Sequence, residues 1–250
     1  MKTTIKLVLI SILALSVASC KIMYIPNSQN VPMMEEKGDL KVDIGTKDLQ
    51  VAFGLTDHVG IMVNGYYNRN DWSVSSGTIE IVENKYLTNR SLIEGGLGYF
   101  TTLGNDGRFE VYGGAGYGGF DYNYDLLDNG ILSESNKFGI NTMRIFLQPA
   151  LGFQTDIVGF AFSTRLASVN FSNVEYTGYD ETELVTEGLN ELEDNMFLFV
   201  EPALTLRIGF RYAQLQLQPY YNFLVSGPSS INARKWGFNM GVYLSIDEFY

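Results

Sequence analysis

Residues 211–223 read Arg211-Tyr212-Ala213-Gln214-Leu215-Gln216-Leu217-Gln218-Pro219-Tyr220-Tyr221-Asn222-Phe223. Ala213, Leu215, Leu217, Pro219, Tyr221 and Phe223 fall on one face, and Tyr212, Gln214, Gln216, Gln218, Tyr220 and Asn222 on the other. A period of two is the signature of a β-strand with two unlike faces. Three successive glutamines would be an odd choice for the core of a soluble sandwich. A polar lumen wrapped by an apolar exterior accounts for them directly.

The neighbouring segments carry the same pattern. In 196–208 Met196, Leu198, Val200, Pro202, Leu204, Leu206 and Ile208 oppose Phe197, Phe199, Glu201, Ala203, Thr205 and Arg207. In 143–153 Met143, Ile145, Leu147, Pro149, Leu151 and Phe153 oppose Arg144, Phe146, Gln148, Ala150 and Gly152. In 236–246 Trp236, Phe238, Met240, Val242, Leu244 and Ile246 oppose Gly237, Asn239, Gly241, Tyr243 and Ser245. The face that holds the charges is also the one rich in Gly and Ala, as a narrow interior requires.

This periodicity predicts an all-β chain of ten strands, at roughly 39–45, 48–55, 59–70, 88–103, 108–121, 138–153, 158–171, 196–209, 211–225 and 236–248. Eight is the alternative even number, the doubtful pair being 39–45 and 48–55, joined only by Thr46-Lys47. Connections alternate in length: Thr56–His58, Gly104–Gly107, Gln154–Ile157 and the Gly209-Phe210 region are short, whereas 71–87, 122–137, 172–195 and 226–235 are long. Short turns at one end and long loops at the other is the layout of an antiparallel transmembrane β-barrel, with the short turns periplasmic and the long loops extracellular.

Composition narrows the function classes. The 250 residues carry a formal charge of −11, which speaks against nucleic-acid binding. One Cys and one His exclude a disulfide framework, a Cys/His zinc module and any site needing two histidines. Mean hydropathy is zero, but in alternating strands that value is a cancellation of two opposite faces.

The amino terminus reads as an export signal. Lys2 and Lys6 precede a short apolar run, Leu7 to Val17, which ends in Leu15-Ser16-Val17-Ala18-Ser19-Cys20. This stretch resembles the lipobox of bacterial lipoproteins, which implies a signal peptide over 1–19 and acylation of Cys20. Residues 20–37 lack periodicity and read as a lipidated tether, leaving 38–250 for the barrel. The chain ends in Ile246-Asp247-Glu248-Phe249-Tyr250, similar to the terminal aromatic signal by which outer-membrane barrels reach their assembly machinery. Together these features resemble the small outer-membrane β-barrels of the porin-like class, here in a Gram-negative lipoprotein. The resemblance implies outer-membrane lipids and the barrel assembly machinery as partners, an accessory role beside another outer-membrane protein, and no cofactor beyond the lipid on Cys20.

On the inward face, Glu94, Arg144, Arg165 and Glu201 lie at comparable distances from their short turns. Two positive and two negative groups in one layer would neutralise each other, whereas any of them unpaired in a narrow lumen would be costly. Glu110 and Arg207 suggest a second layer nearer the short turns. The expectation is a plugged, non-enzymatic barrel lipoprotein of structural or accessory role. The alternative is a narrow porin-like channel for small polar solutes, and a third reading is a soluble β-protein on a lipid tether.

Catalytic candidates are few. Membrane-embedded barrel hydrolases lean on a His near the outer rim, and His58 sits instead in a predicted periplasmic turn beside Asp57. Ser75-Ser76-Gly77 reads as a hairpin turn, and the glycine-rich run 113–119 lies mid-strand without the following helix of a phosphate loop. The segment 172–195 carries Glu175, Asp180, Glu181, Glu183, Glu187, Glu191, Glu193 and Asp194 with no Lys or Arg. It reads as a solvated acidic loop rather than a metal site, and Leu184, Leu189 and Leu192 suit a short helical turn over the barrel mouth.

Overall fold

The computed structural model describes residues 23–76, 82–186, 188–228 and 231–246. Cys20, the signal segment and Tyr250 lie outside the described residues. The strands are β1 (Leu40–Gly45), β2 (Asp48–Gly54), β3 (Val59–Ser76), β4 (Val82–Leu103), β5 (Gly107–Asp128), β6 (Ile131–Gln154), β7 (Val158–Thr177), β8 (Met196–Phe210), β9 (Ala213–Tyr221), β10 (Phe223–Ser226) and β11 (Trp236–Ser245). Neighbours in sequence pair antiparallel from β1 through β9, β11 pairs with both β9 and β1, and the ring of ten closes. Strand β10 is additional, running along β8. The short hairpin that made eight strands an alternative is part of the wall.

The pairing is staggered. Following partners from Ile44 through β2, β3, β4, β5 and β6 reaches Asn170 on β7. Following them the other way, through β11, β9 and β8, reaches Val158 on the same strand. Such a displacement is what closes a sheet on itself, and it obliges the strands to tilt by roughly 35–45°.

The faces are inverted relative to a soluble protein. On β4, Ile93 is 63% exposed and the adjacent Glu94 only 2%. Along β6, Met143, Ile145, Leu147, Leu151 and Phe153 point out, while Arg144, Phe146, Gln148 and Ala150 are buried. The core is therefore the lumen. Toward the long-connection end it is apolar, with Phe120, Phe138, Ile140, Phe171, Phe197 and Phe199 in one cluster capped by Leu189 and Leu192. Those two leucines belong to the acidic connection, whose helix α1 (Glu181–Thr186) is followed by a single 3₁₀ turn (Leu189–Glu191). Asp180 and Glu183 open α1 as a reciprocal capping pair, each carboxylate accepting from the other residue's backbone N–H.

Several boundaries differ from the sequence reading, among them the end of β7, which runs to Thr177 rather than 171. Strands β3 to β6 run well past positions 70 and 121, so the connections at 71–87 and 122–137 are largely tall antiparallel hairpins. Their polar alternation hid a ladder that continues unbroken from Val59↔Tyr99 to Ser76↔Val82. The segment 211–225 is interrupted at Asn222: the β8–β9 ladder ends at Ala203↔Tyr220, and the next residue of β8, Pro202, has no N–H to give it. Asn222 instead donates its backbone N–H to Lys235 O at 2.7 Å. Residues 23–34, read as tether, are folded into the lumen, as set out below.

The glycine-rich run of β5 serves close packing. A Cβ at the lumen-facing Gly114 would lie 2.2 Å from Gly95 O and 2.7 Å from Phe146 Cζ. At the outward Gly113 the nearest atoms would be at 3.8 Å. Gly114→Val should therefore destabilise the barrel by roughly 1–3 kcal/mol, whereas Gly113→Val should leave it nearly unchanged. The two midpoints of thermal unfolding check this, and equal midpoints would contradict the packing assignment.

Candidate functional site: a lumen filled by the amino-terminal segment

The four lumen charges meet at one level. Glu94 and Arg144 are two strands apart, and Gly116 on β5 is the register partner of both. With no side chain at Gly116, Arg144 reaches across β5 to form an ion pair with Glu94. A Cβ there would lie 2.8 Å from Glu94 Cβ. Arg165 and Glu201 are direct cross-strand partners on β7 and β8, with Nη1 and Oε2 3.8 Å apart. Arg165 Nη2 also lies 3.4 Å from Glu94 Oε1, so the two arginines share one carboxylate. All four side chains are buried.

The centre of this layer is occupied by the chain's own amino-terminal segment. Asn27 Oδ1 accepts from Arg144 Nη2 at 2.6 Å and from Arg165 Nη1 at 2.8 Å, and Asn27 Nδ2 donates to Glu94 Oε1 at 3.0 Å. Tyr24 stacks on Phe199 with ring centroids 4.4 Å apart. Its hydroxyl accepts from Arg144 Nη1 at 3.1 Å and donates to Glu201 Oε1 at 2.7 Å. Asn64 Nδ2 adds a further donor to Glu94 at 3.0 Å, and Gln148 Oε1 accepts from Arg165 Nε and Nη2. Each charge is thus compensated by an opposite charge and by neutral dipoles, the condition under which buried ions are tolerated.

The segment carries Pro26 and Pro32 and forms no strand, so its backbone polar groups need other partners. Wall side chains supply them. Gln218 accepts from Gln29 N–H at 2.7 Å and donates to Gln29 O at 2.8 Å, as a neighbouring strand would. Gln148 donates to Asn30 O, Arg207 to Val31 O and the Tyr243 hydroxyl to Pro32 O, at 2.5–2.6 Å. Glu110 accepts from Met34 N–H at 2.6 Å, and Arg108 pairs with Glu35. Side-chain contacts complete the fit: Ser28 donates to Asp48, and Asn30 Nδ2 to Asn64 Oδ1 at 2.8 Å.

The inward glutamines of β9 thereby acquire distinct tasks. Gln218 holds the segment's backbone. Gln216 accepts from Arg207 Nε at 2.7 Å and donates to Asp43 at 2.5 Å, and Gln214 accepts from Gln154 at 2.9 Å. Glu110 and Arg207, expected as a second charge layer, each bind the segment. Arg207 also lies over the Tyr243 ring, 3.6 Å from its centroid.

The remaining candidates lie apart from this cluster. His58 is in the short β2–β3 turn, its Nδ1 3.3 Å from Phe100 O and its ring stacked on Tyr99. Ser75 and Ser76 end β3, and Gly77 and Glu187 lie outside the described residues. Comparison with protein-family models, with curated proteins and with solved structures finds no match for this chain.

Removing one member of the layer strands the others. Arg144→Met should cost about 3–5 kcal/mol of stability, the typical penalty for orphaning a buried charge. The double variant Glu94→Gln with Arg144→Met should lose less than the two single variants added together, because the orphaned charge is gone. A double-mutant cycle by denaturant unfolding measures this coupling, and strictly additive losses would deny it.

Proposed function

We propose that this protein is an outer-membrane β-barrel lipoprotein without enzymatic activity, whose lumen is closed by its own amino-terminal segment. Its role is structural, or that of an accessory subunit in an outer-membrane assembly. The observation that carries this reading is the pairing of two inversions in one chain. An apolar outer face encircles a barrel whose buried interior holds Glu94, Arg144, Arg165 and Glu201 clamped on Asn27 and Tyr24.

An exterior bearing Ile93, Leu97, Tyr117, Ile145, Leu147, Leu204, Leu206 and Phe238 suits hydrocarbon. Strands β9 and β11, of 9 and 10 residues, have the length that a tilted strand needs to cross a bilayer, while β3 to β7 stand 18–24 residues tall and rise beyond it. Aromatic residues at strand ends, Trp236 on one side and Phe210 with Tyr212 on the other, fit the two interfaces. The porin-like alternative needs a continuous aqueous path, and the segment's bonds to nine of the ten ring strands support a closed lumen instead.

Folded protein should migrate differently from boiled protein in detergent gels. In planar bilayers the native protein should give no steady conductance, and Arg144→Ala with Arg165→Ala should produce openings by loosening the grip on Asn27. Steady conductance of the unmodified protein would overturn the closed lumen in favour of the narrow channel, and unchanged currents in the double variant would deny that the arginines hold the plug.

A further inference from the structure

The filling segment has a direction, and that direction determines where the chain's beginning lies. At its amino-terminal end Met23 N–H donates to Asn232 O at 2.8 Å, Arg234 N–H donates to Tyr24 O at 2.9 Å, and Tyr24 forms a parallel bridge with Ala233. Residues 231–234 belong to the long connection between β10 and β11. At its other end Met34 and Glu35 meet Glu110 and Arg108, next to the short β4–β5 turn. Lys37 N–H then reaches Asp57 in the short β2–β3 turn, and Gly38 N–H donates to Gly54 O at 2.9 Å. The chain descends the whole lumen from the long-connection mouth to the short-turn end, reverses at 35–39, and enters β1 upward.

We infer that the mature amino terminus is displayed at the long-connection mouth, so that the acylated Cys20 anchors in the outer leaflet and not the inner one. This rests on the outer-membrane lipoprotein reading above, in which the long connections face outward. An ordinary tether of 18 residues before a barrel that starts at its periplasmic end would place the lipid in the inner leaflet. Threading reverses that placement. Only three peptide steps separate Cys20 from Met23, no more than about 11 Å of chain, so the anchor has no means of returning through the filled lumen.

The wall is lowest on the side where the segment's upper end lies. Strands β1 and β2 have only 6 and 7 residues, and their connecting turn stops beside Tyr66 of β3, while β3 itself continues for ten residues more. Above this low rim lies a cavity of about 210 Å³, bounded by Ile25 and Ser28 of the segment, Lys47, Tyr66 and Tyr220, and Phe238 of the outward face. The segment thus approaches its upper end, at Met23 and Tyr24, beside the lowest part of the wall and away from the tallest hairpins.

The test is accessibility on intact Gram-negative cells. An epitope tag inserted between Lys21 and Ile22 is compared with tags at Asn105-Asp106 in a short turn and at Asn129-Gly130 on a tall hairpin. The amino-terminal and 129–130 tags should bind antibody on intact cells, and the 105–106 tag only after the outer membrane is permeabilised. An amino-terminal tag that behaves like the 105–106 tag overturns the threading while leaving the membrane-spanning reading in place. If the 105–106 and 129–130 tags cannot be told apart, the spanning reading fails and the inference with it. A pair of substitutions, Met23→Cys with Asn232→Cys, provides a check without insertion. A short bismaleimide should link them in the folded barrel, and absence of the link in correctly folded protein counts against the threaded path.

Discussion

A backbone segment without a continuous strand partner, enclosed where water cannot reach it, must find most of its hydrogen bonds in side chains. That constraint organises the interior of this barrel. Residues 23–34 carry two prolines and, beyond the single bridge of Tyr24 to Ala233, lie in no ladder, yet Gln218, Gln148, Arg207, Tyr243 and Glu110 take up their N–H and C=O groups from five different strands. The polar groups of the lumen are thus the binding surface for a piece of the same chain.

The charge layer follows from the same requirement. Two arginines facing two carboxylates in a sealed interior would leave unequal distances and unused lone pairs if wall strands alone determined their spacing. Asn27 brings a carbonyl and an amide into the centre of the layer, and Tyr24 a hydroxyl that both accepts and donates. Gly116 contributes by having no side chain, since its emptiness is the passage through which Arg144 meets Glu94. Charge neutrality, shape and hydrogen bonding are settled by residues from the wall and the segment jointly, and neither set suffices alone.

Much of the wall was legible from alternation, because period two survives in any strand with unlike faces. The inward positions of Glu94, Arg144, Arg165 and Glu201 could be counted from their short turns, and the structure brings those four side chains together. The segment 23–34 was not legible by the same means. Proline and the lack of a repeat make it resemble a tether, and its partners are scattered over strands far away in sequence. One signal was present: no charged residue occurs from Ile22 to Met34, while Asn27, Ser28, Gln29 and Asn30 form a dense run of neutral donors and acceptors. A solvated linker has no need of that composition, whereas a guest in a polar lumen does. The tall hairpins were missed because their alternation there runs between polar and isolated aromatic residues, as at Tyr122 and Tyr124, without a continuous apolar face.

The ring closes through the ladder between β1 and β11, which spans only five paired positions, from Lys41↔Ser245 to Gly45↔Gly241. Strand β1 is also the one that leads directly out of the threaded segment. Antiparallel neighbours can form in order along the chain, but this closure joins the first strand to the last and is the most distant pairing in the fold. Once it forms, the interior is a topologically enclosed space crossed by its own polypeptide. A passage already lined with ion pairs and crossed by wall side chains is a harder route for residues 23–34 than an open sheet. Laying residues 23–34 against the sheet while it is still an open trough avoids that threading, with the five-position seam closing over them.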